Sequence, residues 1–401
     1  MIFPSILAAI AIGVLFGIGT GITPGIHINL VSLLLLSASP FLLCYTSPVV
    51  LCCFIISMAI THTFLDAIPS IFLGAPDAEQ ALNALPGHKL LLQGKGFEAV
   101  KLTVIGALLC LILSIILIPL MIPFSKWVYP VIKDYIGYAL VVIILFMILK
   151  DSRRWLNLFV FLLSGVLGLI VLNLPTLHDP LFPLLSGLFG TSMLLVSLFE
   201  KVSIPKQSFD ETLELKRSHV TQAVFAGTFA GALTGFMPGL GPAQGAVLAS
   251  QFVRKIGDYG FMILVGGLNT VNFIFSMLTL YTIEKSRNGA IIVVSKLLES
   301  YSFEVLIIFV CAALLAGAAS TFLTLKISKL FACMIVKVNY TLVVSIVLVF
   351  VTALVFYFCG WLGLLVLATS TAVGLIPAFT GVARNHQMGC LILPVILFFV
   401  L

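Results

Sequence analysis

Two nine-residue strings carry residue types that could hold an anion. They read Gly17-Ile18-Gly19-Thr20-Gly21-Ile22-Thr23-Pro24-Gly25 and Gly231-Ala232-Leu233-Thr234-Gly235-Phe236-Met237-Pro238-Gly239, with five identities in nine positions at an offset of 214 residues (238 − 24). Proline has no N–H and glycine leaves the helical basin readily, so a Pro-Gly pair inside an apolar run frees backbone groups. His27 and Asn29 follow the first break, and Gly241, Pro242 and Gln244 follow the second. In both places an apolar run resumes, and the first N–H groups of a restarting helix have no intrahelical partners. Those donors and the positive end of the helix dipole suit a carboxylate or a phosphate. The expected substrate-binding set is therefore Thr20, Gly21, Pro24, Gly25, His27, Asn29, Thr234, Gly235, Pro238, Gly239, Gly241 and Gln244.

A second group of polar residues falls in apolar surroundings: His62, Asp66, Asn269 and Asn272. An ionisable or amide side chain in hydrocarbon is expensive, so each is a functional candidate, here for ion coupling or polar support. Thr61-His62-Thr63 and Asp66 follow the first Pro-Gly much as Asn269-Thr270 and Asn272 follow the second, which makes them candidate matching elements of a repeat. Blander roles stand beside these. A Pro-Gly pair also serves as a plain kink, a lone membrane His or Asn as interhelical glue worth under about 1 kcal/mol, and Gly17/Gly21 and Gly231/Gly235 as small-xxx-small packing. Arg384-Asn385-His386 reads as an interfacial loop, with contact to an anionic solute as the lesser reading.

The elements that must position these residues are membrane spans. The 401 residues are 61% hydrophobic and only 9% charged, where soluble domains carry about a quarter charged residues. At roughly 20 residues per span the chain has room for about ten to twelve of them. Apolar segments lie near 5–22, 28–45, 48–74, 97–123, 135–149, 154–173 and 180–199, then near 218–236, 241–254, 258–283, 303–325, 338–358, 360–380 and 388–401. Segments 241–254 and 388–401 are too short to cross alone and read as half-helices or re-entrant hairpins. The reading is an all-α polytopic membrane protein of about 10–14 hydrophobic segments in two related halves, expected to be an inverted repeat with broken helices. Residues 1–200 form the first repeat and 218–401 the second, and the charge-dense 201–217 is a solvated linker. The apolar N-terminus lacks a basic leader region and reads as the first span rather than a removable signal.

A formal net charge of +6 would suggest nucleic acid in a soluble protein. Here the Lys and Arg fall in short inter-helix loops, as the positive-inside bias expects, and no nucleic-acid partner is implied. The eight Cys lie mostly in apolar runs without ligand-like spacing and read as small packing residues, and no metal is expected. There is no His-Glu-x-x-His, no Gly-x-Ser-x-Gly and no Gly-x-x-x-x-Gly-Lys-Ser/Thr, so the chain reads as no enzyme, without a cofactor and without its own ATP drive.

The doubled Gly-x-x-x-Gly-x-x-Pro-Gly resembles the large permease (TctA) of the tripartite tricarboxylate transporter family, as does the stretch with Pro69, Gly74-Ala75-Pro76, Leu85-Pro86-Gly87 and Gln93-Gly94-Lys95-Gly96. The chain looks like a short variant, with His27 and Pro242 where small residues are usual. The resemblance implies a multi-pass cell-membrane permease for a small organic anion such as a di- or tricarboxylate. It also implies two partners, a small membrane subunit and an extracytoplasmic solute-binding protein. The residues add the expectation of alternating access around the two breaks, coupled to Na⁺ or H⁺, with a homodimer as a compatible assembly. A translocase for a polyprenyl-phosphate lipid carrier is the rival reading, because half-helix N-termini suit phosphate equally.

Overall fold

A computed structural model of the protein describes residues 2–23, 28–74, 84–132, 135–150, 153–177, 179–199, 204–209, 215–237, 241–253, 256–286, 288–337 and 340–400. All regular structure among them is helical. The first half comprises α1 (Ile2–Ile22), α2 (Ile28–Leu42), α3 (Pro48–Leu65), α4 (Ala67–Phe72), α5 (Ala84–Leu92), α6 (Gly96–Pro123), α7 (Tyr129–Ile132), α8 (Ile136–Lys150), α9 (Arg154–Leu172), α10 (Leu181–Leu185) and α11 (Ser192–Phe199). The second comprises α12 (Arg217–Phe236), α13 (Pro242–Phe252), α14 (Gly257–Ile283), α15 (Gly289–Leu297), α16 (Phe303–Ile335), α17 (Tyr340–Thr380) and α18 (Gly389–Val400).

Among the described residues eight stretches are long and apolar enough to cross a membrane. The lower count than the sequence expects has a physical account. Helices α2, α13 and α18 have 15, 11 and 12 residues, and at about 1.5 Å per residue none covers the ~30 Å of a bilayer core. The 41 residues of α17 are two helices joined at a kink, because Gly360 breaks them at φ 62° and ψ −159°, a conformation essentially closed to other residues.

Two spans are central. The stretches Pro48–Phe72 and Gly257–Ile283 are 89% and 94% buried over their apolar windows, against 28% for Thr341–Thr380. Their polar residues therefore face protein, while α17 presents Val349, Tyr357 and Leu365 outward, as a lipid-facing helix should.

The halves interlock. Helix α1 packs on α3 and α12 packs on α14; α6 of the first half then lies along α14, and α16 of the second half lies along α3. The remaining helices repeat the exchange, with α9 against α18 and α17 against α10 and α11. Glycines seat these crossings: Gly168 against the Cys390 carbonyl, and Gly374 against the Leu188 carbonyl. The result is a bundle of α1–α6 with α12–α16, beside a bundle of α8–α11, α17 and α18 that packs principally on itself. Helix α13 touches the 3₁₀ turn Arg384–Met388 of the second bundle.

Part of the linker is docked rather than solvated, which corrects the sequence reading. The Gln207 side chain is buried; its Oε1 accepts from Gly96 N (2.8 Å) and its Nε2 donates to the Leu91 carbonyl (3.1 Å). Ser208 N donates to the Gly94 carbonyl at 2.7 Å. One amide thus satisfies the start of α6 and the end of α5, groups that would otherwise lack partners.

Candidate functional site

The two Gly-rich strings pack in the same way. A Cβ at Gly17 would lie 2.5 Å from Thr61 Cβ, and one at Gly231 would lie 2.6 Å from Val271 Cβ. A Cβ at Gly21 would meet Leu65 Cβ at 2.8 Å, and one at Gly235 would meet Phe275 Cβ at 2.8 Å. Gly13 faces the Phe54 carbonyl and Gly227 the Leu264 carbonyl. The glycines correspond at an offset of 214 (231 − 17) and their partners at 210 (271 − 61). Gly13 and Gly227 extend the four-residue spacing and were legible as such, although the nine-residue match stops short of them. Side chains at these positions would hold the helix backbones apart, so the spacing allows α1 on α3 and α12 on α14 to come into backbone contact.

That closeness brings polar groups together across each pair. The Thr20 hydroxyl and His62 Nδ1 are 3.2 Å apart, and Asn272 Nδ2 donates to Thr234 Oγ1 at 3.0 Å. Thr20 and Thr234 are equivalent at the offset of the glycines, and His62 and Asn272 at the offset of their partners (272 − 62 = 210). Each threonine also returns a bond to its own helix, Thr20 to the Gly17 carbonyl at 3.2 Å and Thr234 to the Gly231 carbonyl at 3.0 Å. All four side chains are buried.

The two pairs are joined through the centre. Asp66, one turn beyond His62, terminates α3 and opens α4, and its Oδ2 accepts from Asn269 Nδ2 at 3.4 Å. Asn269 lies one turn before Asn272 on α14. Thr63 and Thr270 hydroxyls meet at 3.1 Å, and Ser320 of α16 donates to Thr61 Oγ1 at 2.9 Å. A continuous polar band therefore runs Thr20, His62, Asp66, Asn269, Asn272, Thr234. In Pro48–Phe72 His62 and Asp66 are the only residues among His, Asp, Glu, Lys and Arg. Asp66 is 2% exposed, and a carboxylate so enclosed either takes a proton or requires compensating charge or donors.

The segment after the second break returns onto the first helix of its pair. Helix α13 starts at Pro242, the first-turn position where a missing N–H costs nothing. The Gln244 side chain accepts from Gly241 N at 2.9 Å, so this glutamine caps its own helix rather than presenting that oxygen to a solute. Gly245 lies against the Thr234 side chain, which puts the beginning of α13 beside the polar band. The first break resumes as α2, whose Asn29 packs against Gly289 at the start of α15. Asn29 thereby contacts the second half of the chain. Pro24, Gly25, His27, Pro238 and Gly239 lie outside the described residues.

The loop Arg384-Asn385-His386 packs against α9, with His386 buried. Arg153, at the start of α9, donates to the Thr380 carbonyl, whereas Ser164 Oγ donates to the His386 carbonyl at 3.4 Å. Eleven residues of α9 separate those contacts, about 16 Å along its axis. Within six residues the chain has passed from the charged end of α9 to its middle. The signal available in sequence was the shortness of α18, which leaves room for a descending turn before it.

The match to protein families agrees with this architecture. The model of the tripartite tricarboxylate transporter TctA family matches residues 7–389. A relative from Methanocaldococcus jannaschii, the uncharacterized protein MJ1079, is 29% identical over 356 residues, covering 86% of this chain and 88% of its own length. No solved structure matches the chain. With eight apolar stretches long enough to cross a bilayer, the protein is a multi-pass membrane protein of a transporter family. The chain belongs to the tripartite tricarboxylate transporter TctA family.

Proposed function

We propose that the protein is a permease for a small organic anion, a di- or tricarboxylate, which it moves by alternating access around the two Pro-Gly breaks. The observation that carries the reading is the polar band across the two glycine-packed junctions. It runs through the two most enclosed spans and ends, at Thr20 and Thr234, four residues before each Pro-Gly pair. Paired breaks at matching positions in two halves are where transporter solute sites form. The exchanged packing of α6 and α16 supports two related halves, and we read them as inverted in the membrane.

Ion coupling is assigned to Asp66. It is an enclosed carboxylate with an amide donor at 3.4 Å, and protonation would remove the charge that the hydrocarbon opposes. The family's tripartite character supports a small membrane subunit and a solute-binding protein as partners.

The test is uptake of labelled citrate and succinate into proteoliposomes, with a pH gradient, a Na⁺ gradient or neither. Concentrative uptake of a carboxylate under one gradient, lost in Gly25→Val and Gly239→Val while the protein stays monodisperse, is the expected result. Thermal stabilisation of the purified protein by polyprenyl phosphate and by no carboxylate would replace this reading with the lipid-carrier translocase.

A further inference from the structure

The descending turn before α18 carries polar atoms that its own fold does not use. Arg384 Nη1 is buried and has no hydrogen-bond partner among the described residues, and the same holds for Gln387 Oε1 and both amide atoms of Asn157. Asn157 and Gln387 are each 0% exposed. The Gln387 amide orientation follows from its bonding, since Nε2 donates to the Val373 carbonyl at 3.1 Å and leaves the oxygen as the open atom. Leaving such groups unmade is costly, and more so for a charge.

Three placements converge. Arg384 and Gln387 are three residues apart in a 3₁₀ turn, where side chains at that spacing eclipse one another. Asn157 is on the buried face of α9 that also carries Ser164 and Gly165, the residues against which the turn and α18 rest. Along α9 it lies between Arg153, level with Thr380, and Ser164, level with His386, the depth through which Arg384 passes. The turn abuts α13, the short helix that follows the second Pro-Gly break.

We propose that Arg384, Gln387 and Asn157 form an anion subsite in the second bundle, separate from the polar band, that receives a carboxylate of the solute together with a neighbouring hydroxyl. The guanidinium takes the carboxylate in its planar fork, with the Asn157 amide as a further donor. Gln387 Oε1 is an acceptor and receives a hydrogen bond from the hydroxyl. The proposal rests on the carboxylate-permease reading and adds to it a second point of attachment, on the other bundle. A solute held at both places then spans the contact between α13 and the turn.

The experiment is thermal-shift and calorimetric titration of the purified protein with citrate and with tricarballylate, which has the same three carboxylates and no hydroxyl. Native protein is expected to bind both, citrate the tighter. Arg384→Gln should weaken both at least tenfold, and Arg384→Lys should recover part of the loss. Gln387→Leu should weaken citrate about tenfold and leave tricarballylate unchanged. Asn157→Leu should raise the ligand-free melting temperature while weakening binding, which a purely structural asparagine would not do. If native protein binds neither compound, this proposal fails; if it binds no di- or tricarboxylate, succinate included, the permease reading fails with it. If native protein binds citrate and monodisperse Arg384→Gln binds it equally well, the subsite alone is wrong.

Discussion

Asn269 donates to Asp66 at 3.4 Å across the contact between the two most enclosed spans, linking residues 203 positions apart in sequence. An amide facing a carboxylate supports either protonation state: it donates to the charged form and accepts from the neutral one. Asp66→Asn should therefore fold normally and still exchange substrate across the membrane, but lose concentrative uptake under a pH gradient. Counterflow and gradient-driven uptake in proteoliposomes separate those activities, and gradient-driven accumulation by Asp66→Asn would remove the coupling assignment.

Substituting Asp66 with Leu has a different expectation. The Asn269 amide would be left buried with its donor unpaired, and the loss should be about 1–3 kcal/mol, seen as a lower melting temperature in detergent.

The glycine contacts predict a contrast within one helix. Gly17→Val and Gly231→Val should each destabilise by about 1–3 kcal/mol or more, because the new side chain must displace Thr61 or Val271. Gly19→Ala, where an added Cβ meets nothing within 4 Å, should be neutral or slightly stabilising. Thermal melts of the three variants decide the matter, and equal effects at Gly17 and Gly19 would contradict the packing described.

His62 occupies the place that Asn272 holds in the other half. His62→Asn should retain the bond to Thr20 and the fold, whereas His62→Leu should leave the Thr20 hydroxyl only its bond to the Gly17 carbonyl and lower stability by about 1 kcal/mol. Thermal melts of the two variants in detergent measure the difference, and equal melting temperatures would contradict it.

Acidification should act through α5. Burial lowers the pKa of His88 below its ordinary 6.5, although the Ile71 carbonyl at 3.2 Å opposes that shift. The unfolded chain then binds the proton more readily, so the His88 contribution is fully present well above pH 6.5 and is lost as pH falls below it. The melting temperature should drop between pH 7 and pH 5, and less steeply in His88→Gln.

Much of this arrangement is readable before folding, and the limits have physical reasons. The paired Gly/Pro strings, the half-helices at 241–254 and 388–401 and the division near Gly360 all follow from apolar run length and from residues that break helices. The likeness of His62 to Asn272 is hidden, because the correspondence lies in what faces the equivalent threonines and not in residue identity. Gln244 looks like a ligand in sequence and serves as a cap, since an amide three residues past a helix start has an N–H in reach. Arg384 reads as a loop charge because depth depends on which helix the turn packs against, and α9 lies more than 200 residues upstream.

The exchange of α6 and α16 between halves constrains how the chain is made. The partners of α3 lie far downstream: Asn269 is 203 residues beyond Asp66, and Ser320 is 259 beyond Thr61. At a synthesis rate of roughly 5–20 residues per second, α3 waits about ten to fifty seconds with its carboxylate and hydroxyls unmatched. During that interval it can neither settle among lipids nor complete its packing. The nascent first half is therefore a client for the insertion machinery, and a ribosome stalled before α14 would release a fragment fit for degradation.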